Sequence, residues 1–92
     1  MTHTIRQATV DDVEQLVPLF DAYRQFYGRT SDAAAARAFL LARCANREST
    51  LFIAHEGDTA IGFAQLYPSF SSVSLARMFI LNDLFVQEQA RR

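Results

Sequence analysis

The side chains able to do covalent or metal chemistry are few and scattered along the chain. Cys44 is the one cysteine. A thiol reacts as its thiolate, which needs a cationic or helix-N-terminal setting. Cys44 falls instead on the apolar face of a helical pattern and reads as a small buried hydrophobe. His3 and His55 have no partners at metal-ligand spacing, and one cysteine builds no zinc cluster, so no metal site is expected. Ser69, Ser71, Ser72 and Ser74 lie in no nucleophile-elbow motif and read as a loop. Tyr23, Phe26 and Tyr27 fall at helical spacing, which serves core packing as readily as substrate contact. Arg29, just after Gly28, suits either an acidic acceptor or plain solvation.

The charge pattern narrows the partners. Nine basic residues, all arginine, stand against ten acids, for a formal net charge of −1. That gives no basic field or stripe for a nucleic acid. Residues 1–20 carry no apolar signal core, and no apolar run reaches the ~18–20 residues a membrane helix needs. With no internal disulfide possible, the expectation is a cytoplasmic domain with no membrane contact.

The elements that must position these side chains follow from periodicity. Thr4 to Ala8 reads as a short strand. Thr9 to Asp12 is a helix start, Thr9 capping and Asp12 closing a capping box. Val13, Leu16, Val17, Phe20, Tyr23 and Phe26 then form one helical stripe, interrupted by Pro18 and stopped at Gly28. Ser31 and Asp32 can cap a second helix that opens at Ala33, turns Phe39, Leu40 and Cys44 inward, and sends Arg37, Arg43 and Arg47 to solvent. Thr50 to His55, a turn at Glu56-Gly57-Asp58, and Thr59 to Tyr67 predict a hairpin. Pro68 to Ser72 reads as a loop, or a loop plus ragged strand ends, and Leu75 to Val86 as the longest strand. That last run is apolar on both faces and calls for cover on both. The fold class is α+β: β-α-α-β-β-β, a largely antiparallel four-stranded sheet with two helices on one face.

Three stretches resemble the GCN5-related N-acetyltransferase (GNAT) family. They are Ile5-Arg6-Gln7-Ala8-Thr9 with Asp11-Asp12, the hairpin ending in Ile61-Gly62-Phe63, and Leu81-Asn82-Asp83-Leu84-Phe85-Val86 followed by Ala90-Arg91-Arg92. The resemblance covers the whole chain but only the first half of a family domain. It implies that residues 1–92 form a single N-terminal half domain, ending where the acetyl-CoA pyrophosphate loop begins. In the family that loop runs Arg/Gln-x-x-Gly-x-Gly/Ala, where bare backbone N–H groups at a helix N-terminus hold the pyrophosphate. Arg91 and Arg92 match its first two positions; its glycines are not in the sequence.

The resemblance also implies roles. Phe85 and Val86 would hold the pantetheine arm of acetyl-CoA through their backbone. Asp83, or Asn82 on the opposite face, would be a general base or water-positioning group. Asp83 is equally readable as a polar residue at a strand bulge. Tyr23, Phe26, Tyr27 and Arg29 would shape the site of the acceptor, an amine on a small molecule or a protein. Strand pairing around residues 71–72 would put Asp83 beside the start of the preceding strand and the serine run far from the chemistry.

Two functional expectations follow. One is an acetyltransferase that moves acetyl from acetyl-CoA to a primary amine, with weak or absent cofactor binding and little turnover by residues 1–92 alone. The other is a non-catalytic module or gene remnant that self-associates, as a homo-oligomer through Leu75 to Val86, because a last strand with a free edge and an open apolar face recruits a second copy.

Overall fold

A computed structural model describes residues 3–91. The chain runs β1 (His3–Gln7), a short 3-10 turn (Val10–Asp12), α1 (Val13–Phe26), α2 (Ala33–Ala45), β2 (Thr50–Glu56), β3 (Thr59–Ser71), β4 (Ala76–Val86) and a second 3-10 turn (Glu88–Ala90). The four strands form one antiparallel sheet in the order β1-β2-β3-β4. The expected α+β architecture is therefore the observed one, with small changes of boundary. β1 lies one residue earlier than its apolar pattern suggests, because pairing with β2 runs from His3 opposite Glu56 to Gln7 opposite Phe52.

The helices start and stop where local chemistry demands. Thr9 and Asp12 complete the reciprocal capping box. Asp12 also takes a two-pronged ion pair from Arg6, at 2.6 and 2.8 Å, which ties the helix entry to β1. That pairing holds the Asp12 carboxyl well below its usual range, at about 2. Pro18 does not break α1: it sits on the exposed side, where the carbonyl freed by its missing N–H can meet water. At the C-terminus the Arg29 N–H donates to the Arg24 carbonyl and the Gly28 N–H to that of Gln25. Gly28 takes a φ of +86°, which that reversal requires and glycine adopts without strain. Asp32 caps α2 through the Ala35 N–H. Ser31, the other predicted cap, turns back to Asp21 instead.

One core holds both helices to one sheet face. Val13, Leu16, Val17 and Phe20 of α1 pack with Leu40 of α2 and with Leu51, Ile53, Phe63 and Phe85 of the sheet. Each such side chain contributes on the order of 1.5–3 kcal/mol by leaving water. Leu40 is buried as expected, but Phe39 lies half out and stacks on Phe20. Arg37 and Arg43 are not simply solvated. Arg37 pairs with Glu14, and Arg43 pairs with Glu48 while covering the Phe39 ring.

Pro68 to Ser72, expected as a loop or as a loop with ragged strand ends, is strand as far as Ser71, which makes β3 and not β4 the longest strand. β3 pairs with β4 from Gly62 opposite Val86 to Ser71 opposite Ala76. Past Leu66 it has no β2 partner, so a proline there has only one side to satisfy. The connection is Ser72 to Leu75, with Leu75 at a φ of +55°. Shifting the turn moves Asp83 opposite Gln65, well inside β3 and not at its start.

The face of the sheet away from the helices is open. Ile5, Phe79, Leu81 and Leu84 are exposed, and a shallow cavity of about 140 Å³ there is walled by Phe52, Ala54, Gly62, Ala64, Leu84 and Val86. β4 is an edge strand, with no partner on its outer side among the described residues.

Candidate functional site

β4 carries a bulge opposite β3: Gln65 faces Asp83, but the next residue, Leu66, faces Leu81. Asn82 is the extra residue. A bulge bends a strand and re-aims side chains. Here it corrects the expected placement of Asn82 on the opposite face. Asn82 and Asp83 both line one cavity on the helix side, and Asn82 Nδ2 donates to Asp83 Oδ1 at 3.0 Å.

Asp83 is 5% exposed and sits in a built network. The Tyr23 hydroxyl donates to Oδ1 at 2.8 Å, and Gln65 Nε2 donates to Oδ2 at 2.6 Å. The Ser49 hydroxyl in turn donates to Gln65 Oε1 at 2.7 Å, fixing the amide's orientation. An ionised carboxylate has about four lone-pair positions, so three donors leave room for one more. Burial and the neighbouring carboxylate push the Tyr23 phenol up to about 12, so it stays a donor at neutral pH.

The cavity above this network measures about 440 Å³, within the range of small-molecule sites. Phe20, Phe39 and Tyr67 form aromatic walls, and Arg24 joins Asn82 and Asp83 as a polar group. A second cavity, of about 330 Å³, lies at the C-terminal end of β4 between Phe26, Tyr27, Phe85, Val86 and Arg91. Tyr23 borders both cavities.

The predicted site residues thus divide. Tyr23, Asn82 and Asp83 meet at the first cavity. Phe26 and Tyr27, 66% and 68% exposed, line the second one, so they are not core packing and lie apart from Asp83. Phe85 is buried in the core with its ring 6.1 Å from that of Tyr23. Arg91 Nε donates to the Val86 carbonyl at 2.7 Å, its guanidinium lying over the rings of Phe85 and Phe26. Arg92 lies outside the described residues. Arg29 is exposed and lines neither cavity. Cys44 is half-buried, and burial pushes its thiol up, away from reactivity. Phe70 pairs with Arg77 near the hairpin tip, far along β4 from Asp83.

Sequence reasoning missed Gln65, Ser49, Arg24 and the aromatic walls Phe20, Phe39 and Tyr67. Gln65 was findable: it continues the inward alternation of Ile61 and Phe63 and is 0% exposed, and a polar residue in that phase needs a polar partner.

No family model matches the chain. Among curated proteins it is 55% identical over 87 residues to an uncharacterized N-acetyltransferase, YhfO, of Bacillus subtilis, spanning 95% of this chain and 58% of that one. It is 45% identical over 82 residues to a probable acetyltransferase of Haemophilus influenzae, spanning 88% and 56%. Among solved structures, a probable acetyltransferase superposes with a TM-score of 0.90 at 48% identity, covering 97% of this chain and 60% of that chain. A predicted acetyltransferase from Clostridium acetobutylicum, crystallised with acetyl-CoA, shares the fold at a TM-score of 0.76 and 15% identity, covering 98% and 63%. The chain therefore spans a little under three fifths of the curated relatives it matches.

Proposed function

Because the chain belongs to the GCN5-related N-acetyltransferases over the part of their domain that it spans, we propose that it supplies the acceptor side of an acetyl-transfer site. Acetyl passes from acetyl-CoA to a primary amine bound at Asp83. The observation that carries this reading is the pair of cavities sharing Tyr23, one floored by a buried carboxylate and one running along the free end of β4.

The residues fit these roles. The amine enters as an ammonium and gives one proton to Asp83, directly or through a water, which frees the nitrogen lone pair. The C–N bond then forms as the thioester C–S bond breaks, and a second nitrogen proton ends on the sulfur. Asn82, Gln65 and Tyr23 hold the carboxylate in place, so the contribution of the chain is largely orientation.

Acetyl-CoA supplies the activated acetyl group. The outer edge of β4 near Phe85 and Val86 offers backbone groups to an extended amide chain such as the pantetheine arm. Arg91 occupies the Val86 carbonyl, and on release its guanidinium would be available to phosphate.

The test joins the chain to the part of the Bacillus subtilis relative that it does not span. Acetyl-CoA turnover is measured on a panel of amines, with calorimetry of acetyl-CoA on the 92-residue chain alongside. Acetylation that fails in Asp83→Asn but survives in Arg29→Ala supports the reading. Full turnover by Asp83→Asn would remove Asp83 from the chemistry.

A second reading rests on the open sheet face and free β4 edge. We propose that the 92-residue chain, prepared alone, pairs with a second copy through Leu75 to Val86. A monomer in light scattering at micromolar concentration overturns this without touching the first reading.

A further inference from the structure

Resting on that reading of the Asp83 cavity, we propose that the acceptor is a small zwitterion, its ammonium on Asp83 and its carboxylate on Arg24. Both groups line the same cavity. Arg24 is half-buried and has no ion pair among the described residues. The acid nearest in sequence on α1, Asp21, feels the Arg24 charge but forms no ion pair with it. Its oxygens already accept from the Ser31 hydroxyl at 2.6 Å, the Asp32 N–H at 2.7 Å and Gln25 Nε2 at 3.1 Å. A half-buried guanidinium that lines a cavity and makes no ion pair among the described residues is suited to a planar carboxylate, which it can grip with two parallel hydrogen bonds.

The other end of the ligand is specified by Asp83 and the rings. Three donors leave the carboxylate capacity for one more, which an ammonium supplies. Tyr23 and Phe20 stand beside it, and aromatic faces attract cations as well as apolar carbon. The same cavity is also lined by Phe39, Tyr67 and Ala36, which suit an apolar body. A cavity of about 440 Å³ takes a molecule the size of one amino acid. The acceptor class is thus a free amino acid, or a similar amine bearing a carboxylate, with an apolar middle.

The experiment uses the 92-residue chain without acetyl-CoA, so that it reads acceptor binding and not turnover. L-leucine and L-phenylalanine are titrated by calorimetry against their amides and against isoamylamine and phenethylamine, which lack the carboxylate. The amino acids should bind at least about tenfold more tightly than either carboxylate-free partner, as for loss of a charged hydrogen-bonded pair. Arg24→Gln should erase that difference, because the acids lose their partner and the carboxylate-free ligands never had one. Arg24→Lys should restore part of it. Equal binding of acids, amides and amines overturns the proposal, as does retention of the preference in Arg24→Gln. Absence of any binding at 10 mM, roughly the weak limit of a specific small-ligand site, also overturns it. Acetylation of carboxylate-free amines by the joined protein would then leave the transfer reading standing and this acceptor class rejected.

Discussion

The Tyr23 hydroxyl lies 2.8 Å from Asp83 Oδ1, joining α1 to β4 across 60 residues of sequence. The contact does two jobs at once. It satisfies a buried carboxylate, and it sets the wall between two cavities.

Tyr23→Phe should lower stability by about 1.5–3 kcal/mol, the usual cost of losing a hydrogen bond to a charged partner. It should also alter alkaline behaviour. The folded phenol titrates at about 12, above its ordinary 10. The stability this represents is intact below about pH 10 and is lost as pH rises toward 12. Urea melts across that window should slope downward for the parent, and Tyr23→Phe should lack this contribution to the slope.

Asp83→Asn in the joined protein should reduce turnover by about 10²–10⁴ if the carboxylate takes the ammonium proton. The amide keeps the size of the side chain but reverses one end of its hydrogen bonding. Stopped-time assays with a saturating amine separate this loss of kcat from an effect on acceptor affinity.

The Arg6–Asp12 pair predicts the acid limb of stability. The Asp12 carboxyl titrates at about 2 when folded, against an ordinary value of 3.8. Its contribution is present above about pH 4 and is lost as pH falls through 2. Asp12→Asn should flatten that limb and also weaken the capping box, costing about 1–2 kcal/mol at neutral pH. Fluorescence-monitored urea melts at a series of pH values check both effects.

Gly62→Ala should destabilise the sheet by about 1–3 kcal/mol. An added methyl would stand 2.9 Å from the Phe85 carbonyl oxygen, which is backbone and cannot rotate away. Because the strain falls beside the β3–β4 pairing at Phe85 and Val86, hydrogen exchange at that end of β4 should speed up more than at the hairpin tip.

Leu84→Lys tests the open face. Leu84 is 64% exposed on the side away from the helices. The substitution should change the stability of a monomer by no more than about 0.5 kcal/mol. Light scattering should show the 92-residue chain moving from dimer to monomer. An unchanged dimer would place the contact elsewhere.

The order of elements was legible because each is signalled locally. Capping at Thr9 and Asp12, the glycine stop at Gly28, and the Gly57-Asp58 turn are short-range chemistry that the fold preserves. Pro68 misled because proline is read as a strand breaker, yet β3 there has a neighbour on one side only. The bulge was legible only as one of two readings of Asp83, because composition does not say which residue is extra; the mismatch between β3 and β4 makes it Asn82. Without it, the alternation rule puts Asn82 and Asp83 on opposite faces. Arg24 and the aromatic walls come together through tertiary packing of α1, α2 and β4, which periodicity does not specify.

The bulge also makes β4 a strand of two parities. Toward its C-terminus odd-numbered residues, Asp83 and Phe85, sit opposite the inward Gln65 and Phe63; beyond Asn82 the even-numbered Ile80 and Met78 sit opposite Tyr67 and Ser69. Deleting Asn82 would leave Leu81 next to Asp83, so the in–out alternation would run unbroken from Met78 to Phe85 and each of these residues would keep its β3 partner. The deletion would take away only the kink and the Asn82 amide that donates to Asp83. The extra residue is thus an addition to an otherwise regular ladder, bending the strand at the buried acid and lending that acid a donor.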